Sequence, residues 1–193
     1  MKDILEIRIH GRGGHGAKTA AHLLALAALK EGKYIQAFPE YGPERAGAPV
    51  KTYVKIADRK IKSYAPIKHA EIVVIIDSSL INEADIRKTL HDKCVIIANC
   101  KSECHICRDK NCELYKIRPE YESYSVNATD IALRNLGRDV PNIIMLGALL
   151  KIKNVVKKET MIQIVKEHFL EKLGKEKTEA NIKAFEEGYN SVK

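Results

Sequence analysis

The sequence predicts an α/β fold with one mostly parallel sheet, an antiparallel hairpin at the sheet edge and helices at the C-terminal end. Three observations carry this. Short β-branched runs alternate with Ala/Leu-rich or amphipathic stretches along the chain. Two of the runs, Glu71 to Asp77 and Cys94 to Ala98, are almost continuously apolar, which suits central strands covered on both faces. A glycine-rich segment directly follows the first run and precedes a helix-forming one. The 193 residues make one domain; with 45% hydrophobic and 30% charged residues it can bury a core and is too apolar for a chain disordered throughout.

Taken in order, Ile4 to Ile9 is a strand that stops at Gly11, and Ala17 to Lys30 is a buried helix. Tyr34 to Phe38 is a second strand, entering a shaped loop in which three Pro and two Gly fall within the eleven residues from Pro39 to Pro49. Val50, Thr52, Val54 and Ile56 alternate with Lys51, Tyr53 and Lys55, the period of a strand with one wet face, and Asp58-Arg59 can turn it toward Lys60 to Ser63 as an edge hairpin. A helix at about Asn82 to His91 separates the two apolar strands. Tyr124 to Val126 is a further strand. Asn127 or Thr129 caps a helix over Asp130 to Leu136, which Gly137 ends in the left-handed conformation. Pro141 opens another helix that runs to about Lys151. Met161, Ile162, Val165 and Phe169, then Ile182, Phe185 and Tyr189, mark amphipathic C-terminal helices.

Several classes are disfavoured. No apolar stretch approaches the ~20 residues of a bilayer span, and Met1 to His10 carries Lys2, Asp3, Glu6 and Arg8 without the apolar core of a secretory signal, so the expected location is the cytoplasm, away from membranes. The net charge of +8 permits an anionic partner, but Lys and Glu are interspersed and there are only three Phe, so no nucleic-acid interface is expected.

Gly11, Gly13 and Gly16 match G-x-G-x-x-G between a strand and a helix, the context of a Rossmann-like phosphate loop. Such a loop turns tightly, lets a phosphate approach the backbone and points the amides of a helix N-terminus at it. Gly14 and Thr19 extend the amide and hydroxyl donors, and Arg12 and Lys18 add positive charge. An NAD- or nucleotide-binding protein is one reading. It needs an acidic residue near the end of the second strand, where the nearest carboxylate, Glu40, sits behind Pro39. A plain structural βα turn is the other. His10 and His22 suit packing or surface roles, and neither they nor His15 stands out as a catalytic acid, base or nucleophile.

The segments His10 to Ala17, Ala37 to Val50, Asn127 to Ala132 and Val140 to Leu149 together resemble the gamma subunit of 2-oxoacid:ferredoxin oxidoreductases, in order and over almost the whole chain. The Phe38-Pro39-Glu40-Tyr41-Gly42-Pro43-Glu44-Arg45 loop looks most like the pyruvate enzymes (pyruvate synthase), then the 2-oxoisovalerate enzymes. The resemblance implies a complex of alpha, beta, gamma and delta subunits. That complex oxidatively decarboxylates a 2-oxoacid on thiamine diphosphate, passes two electrons through iron-sulfur clusters to ferredoxin and transfers the acyl group to coenzyme A. Thiamine diphosphate and the clusters are expected in partner subunits, and this chain alone is expected to be inactive. The gamma chain would contribute to the coenzyme A side. Gly11, Gly13, Gly14, Gly16, Lys18 and Thr19 would meet its phosphates, Arg12 would act as a charge clamp, and Glu44 and Arg45 would position the coenzyme or a neighbouring subunit.

One segment departs from that pattern. Cys100, Cys104, Cys107 and Cys112 lie within 13 residues, in a Cys-rich excursion at about 99–118. In a reducing compartment this spacing suits Zn or an iron-sulfur cluster on four thiolates, and reduced free thiols or a redox disulfide are the alternatives. Cys94, in an apolar strand, is expected in the core.

Overall fold

The computed structural model describes residues 4–41, 47–81, 86, 90, 94–100 and 121–192. It contains strands β1 (Ile4–Arg12), β2 (Tyr34–Tyr41), β3 (Pro49–Ala57), β4 (Ile72–Ile75), β5 (Val95–Asn99) and β6 (Glu122–Val126). Its helices are α1 (Ala17–Lys30), α2 (Ala128–Leu136), α3 (Asn142–Ile152) and α4 (Lys158–Ser191), with a short 3-10 turn at Ser78–Leu80. The six strands form one sheet in the order β2-β3-β1-β4-β5-β6. β1, β4, β5 and β6 are parallel, and β3 runs antiparallel to both of its neighbours, so β2 points the same way as β1.

The predicted α/β architecture is present, but the edge hairpin has different partners from those expected. β3 pairs with β2, from Tyr34↔Ala57 to Tyr41↔Val50, and not with Lys60 to Ser63. Both edges of β3 are occupied by β1 and β2, which leaves no ladder for a third strand. Residues 60–67 cross the second face of the sheet instead and bury Ile61 and Ile67. That covering also removes the wet face expected for β3: Tyr53 and Lys55 are each 3% exposed. The Lys55 stem is buried and its ammonium donates to the carbonyls of Ala65 at 2.7 Å and Ser63 at 3.3 Å. β1 likewise runs beyond its expected stop, because Gly11 and Arg12 remain paired with Val50 and Pro49.

β4 and β5 are covered on both faces, as their unbroken apolar runs require. On one face Ile72, Val74, Val95 and Ile97 join Ile7 and Ile9 beneath Leu23 and Leu24 of α1 and the buried faces of α3 and α4. On the other, Val73, Ile75, Ile96 and Ala98 pack with Ile67, Leu80, Ile81 and Cys94. Local helix signals also hold. The Asn127 side chain accepts from the Asp130 amide at the start of α2, and Gly137 ends that helix at φ 68°. Met161, Val165 and Phe185 of α4 are buried, with the helix interrupted at Gly174 (φ 78°, ψ 173°). The helix expected over Asn82 to His91 lies largely outside the described residues, where Ile86 is buried.

Candidate functional site at the C-terminal edge of the parallel strands

The ends of β1, β4, β5 and β6 meet on one edge of the sheet, the edge at which α/β folds bind ligands. Strand register places them level: His10, Ile75, Ala98 and Ser125 align, so Arg12 at the end of β1, Asp77 just past β4 and Cys100 just past β5 each stand two residues further along. The β2–β3 connection opens at the same edge, because Arg12 pairs with Pro49.

The glycine loop is held by four hydrogen bonds and by the packing of Gly11. Gly16 is the N-cap of α1 at φ 77° and ψ 23°, a left-handed conformation that its lack of a Cβ permits, and it offers no side-chain cap. Its carbonyl receives the Ala20 amide at 2.9 Å and the Asn142 side-chain amide at 3.2 Å, which ties the loop to the start of α3. The Gly13 amide donates to Ala48 O at 3.1 Å and the His15 amide to Arg12 O at 3.1 Å. Gly11 packs closely: a Cβ there would lie 3.2 Å from that of Ala17, so this first glycine serves strand-to-helix contact rather than the turn itself. The first-turn amides of α1, at Ala17, Lys18 and Thr19, have no partner within the helix by its geometry. That turn holds no acidic residue. Gly13, Gly14 and Lys18 are exposed and Thr19 is half-buried. The result is a set of amides unpaired within the helix, with an exposed lysine beside them, electrostatically suited to an anion.

Arg12 is placed differently from a side chain reaching only for a ligand. Its Nε lies 3.1 Å from Ser79 Oγ and 3.2 Å from Asp77 Oδ2, Nη2 donates to Ser79 Oγ at 2.9 Å and Nη1 to Gly47 O at 3.1 Å. His15 Nδ1 faces the same Asp77 oxygen at 3.4 Å. Asp77 Oδ1 meanwhile accepts the Ser79 amide at 2.9 Å. Asp77 and Ser79 are not among the site residues expected from sequence, although an acidic residue closing an apolar run at the ligand-bearing edge is a usable signal.

Asn99 was also missed. Its side chain accepts from the amides of Ala128 and Thr129 at 3.0 and 3.2 Å and donates to Ile76 O and Thr129 Oγ1, each at 2.9 Å, so the N-terminus of α2 is already capped from β5. Glu40 accepts from the Tyr53 hydroxyl and lies 3.6 Å from Lys51. With β3 between β2 and β1, it stands on the far side of an intervening strand from the loop. His10 is buried, and His22 stacks edge-on against His168 at 5.9 Å.

Of the remaining candidates, Glu44 and Arg45 lie outside the described residues, although both ends of their loop, Tyr41 and Gly47, are at this edge. Cys104, Cys107 and Cys112 also lie outside them. Cys100 is half-buried, and its amide donates to Val126 O at 3.1 Å. No group of three metal-ligating side chains occurs among the described residues. Cys94 is in the core, and burial foremost, with the Glu71 carboxylate, pushes its thiol up to about 12. No described helix is long and apolar enough to cross a membrane.

Comparison with known proteins covers almost the whole chain. Residues 6–191 match the family described as "Pyruvate ferredoxin/flavodoxin oxidoreductase". The "Pyruvate/ketoisovalerate oxidoreductases common subunit gamma" of Thermococcus kodakarensis is 42% identical over 189 residues, covering 98% of this chain and 97% of the relative. The crystal structure of pyruvate oxidoreductase subunit PORC from Thermotoga maritima superposes with a TM-score of 0.82 at 35% identity, covering 100% of this chain and 98% of that one. The fold also recurs in 2-oxoglutarate:ferredoxin oxidoreductase from Magnetococcus marinus, solved with 2-oxoglutarate, coenzyme A and succinyl-CoA bound. The TM-score there is 0.80 at 19% identity, over 98% of this chain and 31% of that one.

Proposed function

This chain belongs to the pyruvate ferredoxin/flavodoxin oxidoreductase family as a gamma subunit, one component of a multi-subunit oxidoreductase, and from that premise we propose that it supplies phosphate contacts for coenzyme A in a complex that oxidises pyruvate. The overall change is pyruvate, coenzyme A and oxidised ferredoxin to acetyl-CoA, CO2 and reduced ferredoxin, with two electrons leaving through ferredoxin. Thiamine diphosphate and iron-sulfur clusters supply the decarboxylation and electron transfer in the alpha, beta and delta partner subunits. This chain's contribution is to hold an anionic coenzyme.

The observation that carries the reading is the N-terminus of α1, uncapped by any side chain, behind exposed Gly13 and Gly14, with exposed Lys18 beside it and no carboxylate in the first turn. The amides of Gly14, Gly16 and the first turn, with the Lys18 ammonium and the Thr19 hydroxyl, would meet diphosphate or phosphate oxygens. Gly11 and Gly13 contribute by packing and by joining the loop to Ala48. Glu44 and Arg45, in the adjoining loop, would position the coenzyme or a neighbouring subunit. The bound coenzyme in the Magnetococcus marinus enzyme supports the ligand class. The relative named for both pyruvate and ketoisovalerate supports 2-oxoisovalerate as a second substrate of the same subunit.

The test uses the complex purified with this chain. Lys18→Ala and Gly14→Val should raise the coenzyme A requirement while formation of the thiamine-bound intermediate from pyruvate stays intact. Loss of one charge-assisted contact costs about 1.5–3 kcal/mol, roughly ten- to a hundredfold in affinity. An unchanged coenzyme dependence would reduce the loop to a structural turn, and turnover by the purified single chain would remove the accessory-subunit reading.

We further infer that Cys100, Cys104, Cys107 and Cys112 bind one zinc ion or iron-sulfur cluster with a structural role. From Lys101 to Glu113 the segment is polar, with Ile106 its one large aliphatic residue, so apolar burial alone would hardly offset an ordering cost of ~1–2 kcal/mol per residue. Anaerobic purification with metal analysis decides it: one zinc without colour, or iron with a brown chromophore, supports the site. Metal-free folded protein in which Cys100, Cys104, Cys107 and Cys112 all titrate as free thiols rejects it.

A further inference from the structure

We propose that Asp77 and Ser79 are positioning residues of the glycine loop, holding the Arg12 guanidinium in one orientation so that its remaining N–H groups receive an anionic oxygen of the ligand. This rests on the coenzyme reading above and deepens it.

A guanidinium carries five N–H donors in a rigid plane. Here Nε–H lies between Ser79 Oγ at 3.1 Å and Asp77 Oδ2 at 3.2 Å, one Nη2–H goes to Ser79 Oγ at 2.9 Å and one Nη1–H to Gly47 O at 3.1 Å. Among the described residues the other two N–H groups, one on each terminal nitrogen, have no acceptor. The side chain is 33% exposed, so those donors can reach a ligand. The holders are themselves held: Asp77 is 14% exposed, and its second oxygen takes the Ser79 amide at 2.9 Å, fixing the turn that presents the Ser79 hydroxyl. Arg12 thereby joins the ends of β1 and β4 to the β2–β3 connection.

An exposed arginine without such partners samples many rotamers and loses that freedom on binding. One fixed on three sides has already lost most of it. The arrangement explains why a carboxylate is found beside an anion-receptive loop, where its charge alone would oppose the ligand. The two roles predict opposite signs: removing a positioner weakens anion binding, whereas removing a counter-charge strengthens it.

The experiment measures KM for coenzyme A, and coenzyme A binding by calorimetry, in the complex containing the full chain. Asp77→Asn retains an acceptor for the Ser79 amide but loses the charge that holds Arg12, and Ser79→Ala removes the shared acceptor. Each should raise KM and Kd about tenfold, with the change falling on KM rather than kcat. Neither should add to the effect of Arg12→Gln in the double variants. Unchanged or lowered values, or fully additive effects with Arg12→Gln, overturn the proposal. Should Asp77→Asn fail to assemble, Ser79→Ala decides. Lys18→Ala separates this proposal from its premise. If Lys18→Ala raises KM while both positioning variants do not, only the positioning role fails; if all three leave KM unchanged, the coenzyme reading fails with it.

Discussion

At the sheet edge a Cβ added to Gly14 would meet nothing within 4 Å, whereas in the helix layer one on Gly147 would stand 2.2 Å from the Phe185 carbonyl oxygen and one on Gly188 2.4 Å from that of Ile144. The two regions use the same residue for different physics. α3, buried from Asn142 to Leu150, packs backbone against backbone with α4, and there glycine is required for room. Gly14 and Gly16, at φ 102° and 77°, are required for conformation, and the space around Gly14 stays open to solvent. Gly16 combines both demands, since a Cβ would fall 2.4 Å from the Asn142 side-chain nitrogen. Gly14 of the loop thus serves backbone conformation, and Gly147 and Gly188, where α3 and α4 meet, serve close packing.

The largest effect should come from the helix layer. Gly188→Ala forces α3 and α4 apart, and denaturant unfolding should show a loss of about 3 kcal/mol, the upper end of overpacking. A cost near zero would mean that the helices part easily and would break the comparison. Gly16→Ala should cost about 2 kcal/mol, from left-handed strain and the displaced Asn142 bond. Adding Asn142→Ala should recover the steric share, making the double variant less than additive; strict additivity would assign the whole cost to the backbone.

For Gly14→Ala we expect about 1 kcal/mol, from strain alone. If its loss in the same denaturant series exceeded that of Gly16→Ala, Gly14 would have a packing partner. The contrast between core and edge can also be sharpened through a thiol. Cys94 should resist iodoacetamide in the native protein at pH about 9, because burial holds it neutral toward about 12. Since the folded value lies above the unfolded one near 9.0, stability is intact below pH 9 and falls as pH rises toward 12. Cys94→Val should flatten that slope; an identical slope would place the titration elsewhere.

Features decided within a few residues could be read directly. Ala17 to Lys30 is a helix because its Ala and Leu run is bounded by Gly16 and Glu31, and Asn127 and Gly137 bracket α2 with bonds each makes within four residues, from the Asp130 amide to Asn127 and from the Gly137 amide to Leu133. The apolar runs of β4 and β5 announced burial on both faces, since an exposed face would have carried polar residues. The glycine loop was legible for the same reason, as a spacing with a local backbone consequence.

Other features depend on which surfaces meet, and periodicity is silent about that. β3 alternates like a half-wet strand, yet the segment carrying Ile61 and Ile67 covers its polar side and supplies carbonyls to Lys55. Nothing near Asn99 in sequence indicates that it would cap a helix beginning 29 residues later. The roles of Arg12 and Asp77 are of this kind too: the residue types suggested charge at the site, but their 67-residue separation from Arg12 to Ser79 closes only when β4 is laid beside β1. The limits of α1 and α2, the two-sided burial of β4 and β5 and the turn of the glycine loop follow from local sterics and hydrogen-bonding capacity, which the sequence alone determines. Hairpin partners, the buried lysine and the orientation of Arg12 follow from sheet order, because only the assembled sheet brings those acceptors within reach.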